Sequence, residues 1–266
     1  MSSTPAGRLS RGVDSVGAFG RFAATVIGDA VRLRALRFPG EVLRQAGILI
    51  AGSTLVIAGL MFIIGTTCGI EGAFFARTTG ASSYAGLITA WCDLREAAPY
   101  AFGYMMAAKV GTGLVAEIGA MRVSEEVDAL EVMGLDSVAF LCSTRLLASW
   151  LVIPPIYIIG VLAAFLASYI VVVLQIGDTS AGGYNLIFWF FQSPLDLLFS
   201  LIKGVAMATL IVIVGTYYGF TASGGSVGVG AAAAKSMVVN VVGVHLIGML
   251  STFAFWGTNP RAPIGG

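Results

Sequence analysis

Residues 146–177 contain no Asp, Glu, Lys or Arg, and neither do residues 45–70, 204–234 or 236–260. A helix of about 20 apolar residues crosses the hydrocarbon core of a bilayer, so each of these stretches is long enough to span it. A fifth apolar stretch, about 97–116, is interrupted only by Lys109. Over the whole chain 57% of residues are hydrophobic and 11% are charged, against about 25% charged in an ordinary soluble domain. A soluble globular protein is thereby excluded. The expected fold class is an all-α polytopic membrane protein with five transmembrane helices, formed by residues 45–260.

Two of these stretches carry their own punctuation. Residues 146–177 are too many for one upright helix and too few for two spans with a turn, which predicts one long, tilted helix bent at Pro154 and Pro155. The fourth span is expected from near Leu197 to near Phe220, because Gly224, Gly225, Gly228 and Gly230 form a poor helix interior and read as a connection.

Orientation follows from the basic residues, since loops rich in Lys and Arg stay cytoplasmic. With the N-terminus inside, Arg8, Arg11, Arg21, Arg32, Arg34, Arg37, Arg44, Arg122, Arg145 and Lys235 are cytoplasmic, whereas only Arg77, Arg95 and Arg261 lie outside. Lys109 and Lys203 fall within spans. Five spans place the C-terminus outside, with a short outer tail at 261–266. Residues 1–44 lack the short apolar core of a signal peptide. They read instead as an interfacial amphipathic segment: Val16, Phe19, Phe22 or Ala23, Val26 or Ile27, and Ala30 recur at helical spacing, with Arg21, Arg32 and Arg34 available to anionic lipid.

The loop between spans two and three is the most informative segment. AEIGAMRVSEEVDALEVMGLD, residues 116–136, holds Glu117, Glu125, Glu126, Asp128, Glu131 and Asp136 against the single base Arg122. On a helix Val123, Val127 and Leu130 form one apolar stripe, with Glu125 and Asp128 opposite. Gly134 is placed to end that helix in a left-handed cap. An acidic helix on the cytoplasmic face, at about 120–134, suits a basic partner surface, with a solvated connector as the alternative.

Asp93, Arg95 and Glu96 lie between two apolar stretches and are expected below the membrane surface, where ionisable groups mark a pathway or pocket. Lys109 reads as a snorkelling residue, with a carboxylate partner as the alternative. His245 and Asn240 read as helix-packing groups, with a polar pathway as the alternative. Gly65 with Gly69 and Gly215 with Gly219 are small-x-x-x-small pairs that permit close helix approach. Cys68, Cys92 and Cys142 include no C-x-x-C pair and suggest neither a zinc site nor a disulfide framework. A net charge of +1 argues against nucleic acid as a partner. No phosphate-cradling G-x-x-x-x-G-K-[ST] loop, G-x-S-x-G elbow or H-E-x-x-H motif occurs. The chain is therefore expected to be non-catalytic and to bind no cofactor or metal itself.

These residues resemble the MlaE/YrbE family of ABC-transporter permeases, the membrane subunits of lipid transporters that work with MCE-domain proteins. The likeness is densest over residues 116–136, which are similar to the family signature A-E-[IL]-G-x-M-[KR]-x-x-E-[EQ]-[IV]-D-A-[LM]-E-x-M. It extends to GIEG (69–72), LREAAP (94–99) and STRLLA (143–148). TYYGFTASGGSVGVG (216–230) and WGTNP (256–260) look most like the YrbE B-type permeases of actinobacterial Mce systems. Lys109 stands where the family often has Arg, and Ser137 where Pro is usual.

The resemblance implies half of a permease pair, with a paralogue as the second permease and an MCE assembly docked on the outer side. It implies a multi-pass protein of the plasma membrane, with ATP and Mg handled by a separate cytoplasmic ABC ATPase dimer. The acidic segment becomes a coupling helix, with Glu117, Arg122, Glu125, Glu126, Asp128 and Glu131 as ATPase contacts. Cys68, Phe75, Ala76, Thr79, Arg95 and Glu96 become the lipid pathway, in which Arg95 meets an anionic headgroup or carboxylate, or pairs with Glu96. The implied cargo is fatty acid, mycolic-type lipid or sterol, moved inward. Two other classes remain open: an ion-coupled secondary transporter using Arg95, Glu96, Lys109 and His245, or a structural membrane subunit.

Overall fold

A computed structural model describes residues 5–258, with side chains from Asp14 onward. The expected outer tail at 261–266, Arg261, and the side chains of Arg8 and Arg11 lie outside the described residues. All regular structure among the described residues is helical.

Helix α1 runs Pro5–Val31, α2 Pro39–Thr78, α3 Ala85–Trp91, α4 Ala98–Met105 and α5 Thr112–Val123. They are followed by α6 at Glu126–Val132, α7 at Thr144–Tyr169, α8 at Ala181–Phe190, α9 at Pro194–Phe220 and α10 at Gly225–Trp256. Four helical runs are long and apolar enough to cross a membrane: α2, Ala139–Ile176, α9 and α10. The second of these passes through Pro154 and Pro155 without a break. At 1.5 Å per residue, the 40 residues of α2 measure about 60 Å, twice the hydrocarbon thickness of about 30 Å. Both ends of α2 therefore stand clear of the core.

Helices α3, α4 and α5 form one continuous helical run, joined by π-helical segments at Cys92–Ala97 and Met106–Gly111. Two further π segments, Ala139–Ser143 and Ile170–Ile176, flank α7. A π turn re-aims the side chains that follow it and is common at functional positions.

The expected connection at 224–230 is shorter in the structure. Gly224 and Gly225 have φ of 88° and 69°, a left-handed turn that L side chains resist. Gly228 already lies inside α10, where a Cβ would stand 1.8 Å from the Ser223 carbonyl oxygen. The glycines thus make the turn and let the helix start directly beneath it.

Helix α2 packs lengthwise on α7. A Cβ on Gly65 would lie 2.2 Å from the backbone oxygen of Ala164, and the Ser168 hydroxyl donates to the Gly65 carbonyl at 2.9 Å. Gly215 on α9 likewise meets the backbone of Gly111. Both small-residue pairs therefore seat helices within this chain.

The stripe of α1 turns toward protein. Val26 and Ala30 are fully buried, and Phe19 and Phe22 meet the Tyr217 ring edge-on at centroid distances of 5.2 and 5.3 Å. Arg34 pairs with Asp29 at 3.1 Å, while Val16 and Arg21 face outward.

Candidate functional site

Two sites emerge, at opposite ends of the continuous run from Ala85 to Val123. The first is the acidic segment. The expected single helix is broken at Ser124 and Glu125, where Glu125 takes a left-handed φ of 62°, a conformation costly for a side chain with a Cβ. Gly134, at φ 77°, closes α6 as expected: its N–H donates to Glu131 at 2.9 Å, and the N–H of Leu135 donates to Leu130 at 3.0 Å. This is the reciprocal pair of a Schellman cap.

Only part of the expected apolar stripe is seated. Val127 is fully buried and Leu130 packs against the core, whereas Val123 belongs to α5 and is exposed. Glu125, Glu126, Asp128 and Glu131 are exposed. Arg122 pairs with Asp128, Glu126 accepts from the Ser124 hydroxyl at 2.9 Å, and Glu131 accepts from Ser137 at 2.7 Å. Glu117 turns the other way and pairs with buried Arg145 at 2.7 Å, tying α5 to α7. Sequence reasoning missed Val132 and Met133, which are 89% and 66% exposed. Their position off the Val127–Leu130 stripe was the available signal.

The second site is a cavity of about 390 Å³ bounded by Trp91, Arg95, Glu96, Thr252 and Trp256. Adjacent residues on a helix point about a quarter turn or more apart and do not face each other. The Arg95–Glu96 pair, one of the alternatives for Arg95, therefore does not form, and each finds its own partner on α9. Arg95 pairs with Asp196 at 3.0 Å and lies 4.6 Å from the Trp91 ring centroid. Asp196, itself buried, also accepts from the Trp256 indole at 2.7 Å.

Glu96 accepts from Lys203 at 2.9 Å and from Thr252 at 2.6 Å. Lys203 is fully buried and gives its other two hydrogen bonds to the Arg95 carbonyl at 3.0 Å and to Thr252 at 2.7 Å. An ammonium has three donors, and all three are used. Asp196 and Lys203 stand seven residues apart, two turns along one face of α9, so the four charges neutralise in pairs. Asp196 was the residue sequence reasoning overlooked, although it and Lys203 bracket an uncharged stretch. Neighbouring Asp93 is buried against the Ser168 hydroxyl.

Of the remaining pathway residues, Cys68 adjoins this cavity through Cys92 in its wall, and the others lie elsewhere. Cys68 is bonded to Cys92 in a disulfide with Cα atoms 5.9 Å apart, correcting the expectation of no disulfide. The antiparallel packing of α2 on the following helical run brings together two cysteines that their spacing does not connect. Phe75 and Thr79 are exposed at the end of α2, and Ala76 is buried in a satellite cluster with Tyr184 and Phe188. Lys109 is exposed. His245 lies 3.1 Å from the Tyr104 hydroxyl, and buried Asn240 donates to Ser236 at 3.4 Å.

Comparison with known proteins places this geometry. A probable ABC transporter permease protein of Rickettsia felis is 27% identical over 250 residues, covering 94% of this chain and 95% of that protein. A probable ABC transporter permease protein of Synechocystis is 27% identical over 189 residues, covering 69% and 70%. The chloroplastic protein TRIGALACTOSYLDIACYLGLYCEROL 1 of Arabidopsis thaliana is 28% identical over 177 residues, covering 65% and 49%. The family model described as permease MlaE matches residues 42–254. With most of its length inside that match, the chain belongs to the MlaE permease family.

Proposed function

We propose that this chain is the non-catalytic permease subunit of an ATP-driven lipid importer of the MCE-associated type. It crosses the plasma membrane five times, the run Ala85–Val123 serving as the second span, with the N-terminus cytoplasmic and the C-terminus outside. Its membrane partner is a second YrbE-type permease, a paralogue as expected of the B-type branch, and MCE-domain proteins sit on the outer side. Fatty acid or sterol is the proposed cargo, and the Arabidopsis relative is itself named for a galactolipid. ATP and Mg act in a separate ATPase dimer.

One observation carries the reading: a single helical run holds a cavity with paired charges at one end and an exposed acidic helix at the other. In the cavity, aromatic and apolar walls receive acyl chains, while Arg95 and Glu96 present polar edges whose charge is already balanced by Asp196 and Lys203. Cys68, Phe75, Ala76 and Thr79 border the route along α2. At the other end α6 docks in a groove of the ATPase through Glu125, Glu126, Asp128 and Glu131, with Glu117 and Arg122 bracing it. Closure of the ATPase then moves packed helices as rigid bodies.

The test is to reverse Glu125, Asp128 and Glu131 together to Lys and to purify the chain from native membranes. The expected result is loss of the co-purifying ATPase from a chain that still migrates as folded protein. Unchanged recovery of the ATPase would overturn the coupling role.

A further inference from the structure

A third feature lies away from both sites. Between α1, the end of α9 and the first turns of α10 is a cavity of about 610 Å³, within the range of roughly 300–1,000 Å³ common for small-ligand sites. Its wall divides by chemistry. Lys235 supplies an ammonium, five side chains including Tyr218 and Ser223 supply hydroxyls, and Val16 and Phe19 supply apolar surface. Among the described residues no carboxylate lines it, and Lys235 makes no ion pair.

The level in the membrane is also marked. Lys235 is the last charged residue before the uncharged stretch 236–260, so it stands at the boundary between hydrocarbon and headgroups. Tyrosines concentrate at that level, with the ring in the apolar region and the hydroxyl in the polar one. Phe19 holds α1 against Tyr217, which makes the interfacial helix the outer wall. Arg21 is exposed on the same helix but does not line the cavity.

The geometry points to a binding site for one anionic phospholipid of the leaflet on which α1 lies. Its phosphate meets Lys235 and the hydroxyls of Tyr218 and Ser223, and the upper part of an acyl chain runs along Val16 and Phe19. A bound lipid would fasten α1 to α9 and α10. This site is separate from the Arg95–Glu96 cavity, and the inference does not depend on the transport reading.

The full-length chain, purified with the subunits that accompany it, is mixed with dioleoyl phosphatidylglycerol, dioleoyl phosphatidylcholine or oleate, and retained lipid is counted by native mass spectrometry. One phosphatidylglycerol is expected to outlast phosphatidylcholine. Lys235→Gln should lower its retention about fivefold, the worth of one basic side chain at an anionic membrane surface. Val16→Trp fills the apolar wall at an exposed position without changing charge and should also release the lipid. Arg21→Gln should leave retention unchanged, and size-exclusion profiles should match throughout.

Equal retention by Lys235→Gln would overturn the site. So would an intact response in Val16→Trp, or a loss in Arg21→Gln as large as in Lys235→Gln, since either describes general attraction to a basic surface. Preferential retention of oleate would overturn the assignment to a phospholipid.

Discussion

Arg95 and Asp196 meet at 3.0 Å, with 10% and 1% of their side chains exposed, across 101 positions of sequence. A buried ion pair is valuable mainly because losing one member strands the other. Asp196→Asn keeps the shape and an acceptor for Trp256 but removes the carboxylate charge that faces the guanidinium, and is expected to cost about 3–5 kcal/mol. Replacing both residues, Arg95→Met with Asp196→Leu, should recover much of that loss. Thermal unfolding in detergent measures the cycle, and simple additivity of the two single changes would contradict the pairing.

The Cys68–Cys92 bond closes a loop between α2 and the start of the Ala85–Val123 run. Removing it with Cys68→Ser should lower stability by about 2–4 kcal/mol, chiefly by freeing the unfolded chain. Before reduction, neither cysteine should react with a maleimide in denaturant, while Cys142 should react once its burial is undone. Labelling of three thiols without reductant would refute the bridge.

Gly65 and Gly59 separate close packing from mere helix propensity. Gly65→Val drives a side chain into the Ala164 backbone, whereas a Cβ on Gly59 meets nothing within 4 Å. The first should destabilise by about 1–3 kcal/mol or more, as overpacking does. Gly59→Ala should be neutral or stabilising by up to about 1 kcal/mol. Comparable melting temperatures for the two variants would show that α2 and α7 do not cross at Gly65.

Outside the spans, Asp178 accepts a hydrogen bond from Arg77, which holds its carboxyl below the ordinary carboxylate range. A lowered folded-state pKa means that the contribution is present above the unfolded value of about 3.9 and fades as pH falls through the lower folded value. The link between the end of α2 and the loop before α8 should therefore loosen only in strong acid. Protease nicking of that loop in reconstituted vesicles should rise below about pH 4, and Asp178→Asn should be nicked equally at all pH values. A wild-type rise centred near pH 6 would implicate another group.

Much of this protein is legible along the chain because lipid imposes a simple rule. A helix in hydrocarbon must satisfy its own backbone and exclude charge, so the uncharged stretches announce α2, Ala139–Ile176, α9 and α10 directly. The cap at Gly134 was equally local, since a left-handed residue there needs only its own backbone. The break at Glu125 was not, because nothing in SEEVDAL rewards a positive φ. The placement of α10 from Gly225 also escaped, since the glycines that weaken a helix are here the ones that fit beneath Ser223.

By itself, then, the sequence determined the helical class, the apolar spans, the acidic helix and the family, all properties of residues near one another in the chain. Only the tertiary structure decided that Arg95 takes Asp196, that Glu96 takes Lys203, and that Cys68 joins Cys92. The two ion pairs join helices 101 and 107 positions apart and the disulfide joins cysteines 24 apart, and all three depend on how those helices are rotated and set in register. Rotation and register follow from close contacts such as Gly65 on Ala164, which local periodicity does not encode.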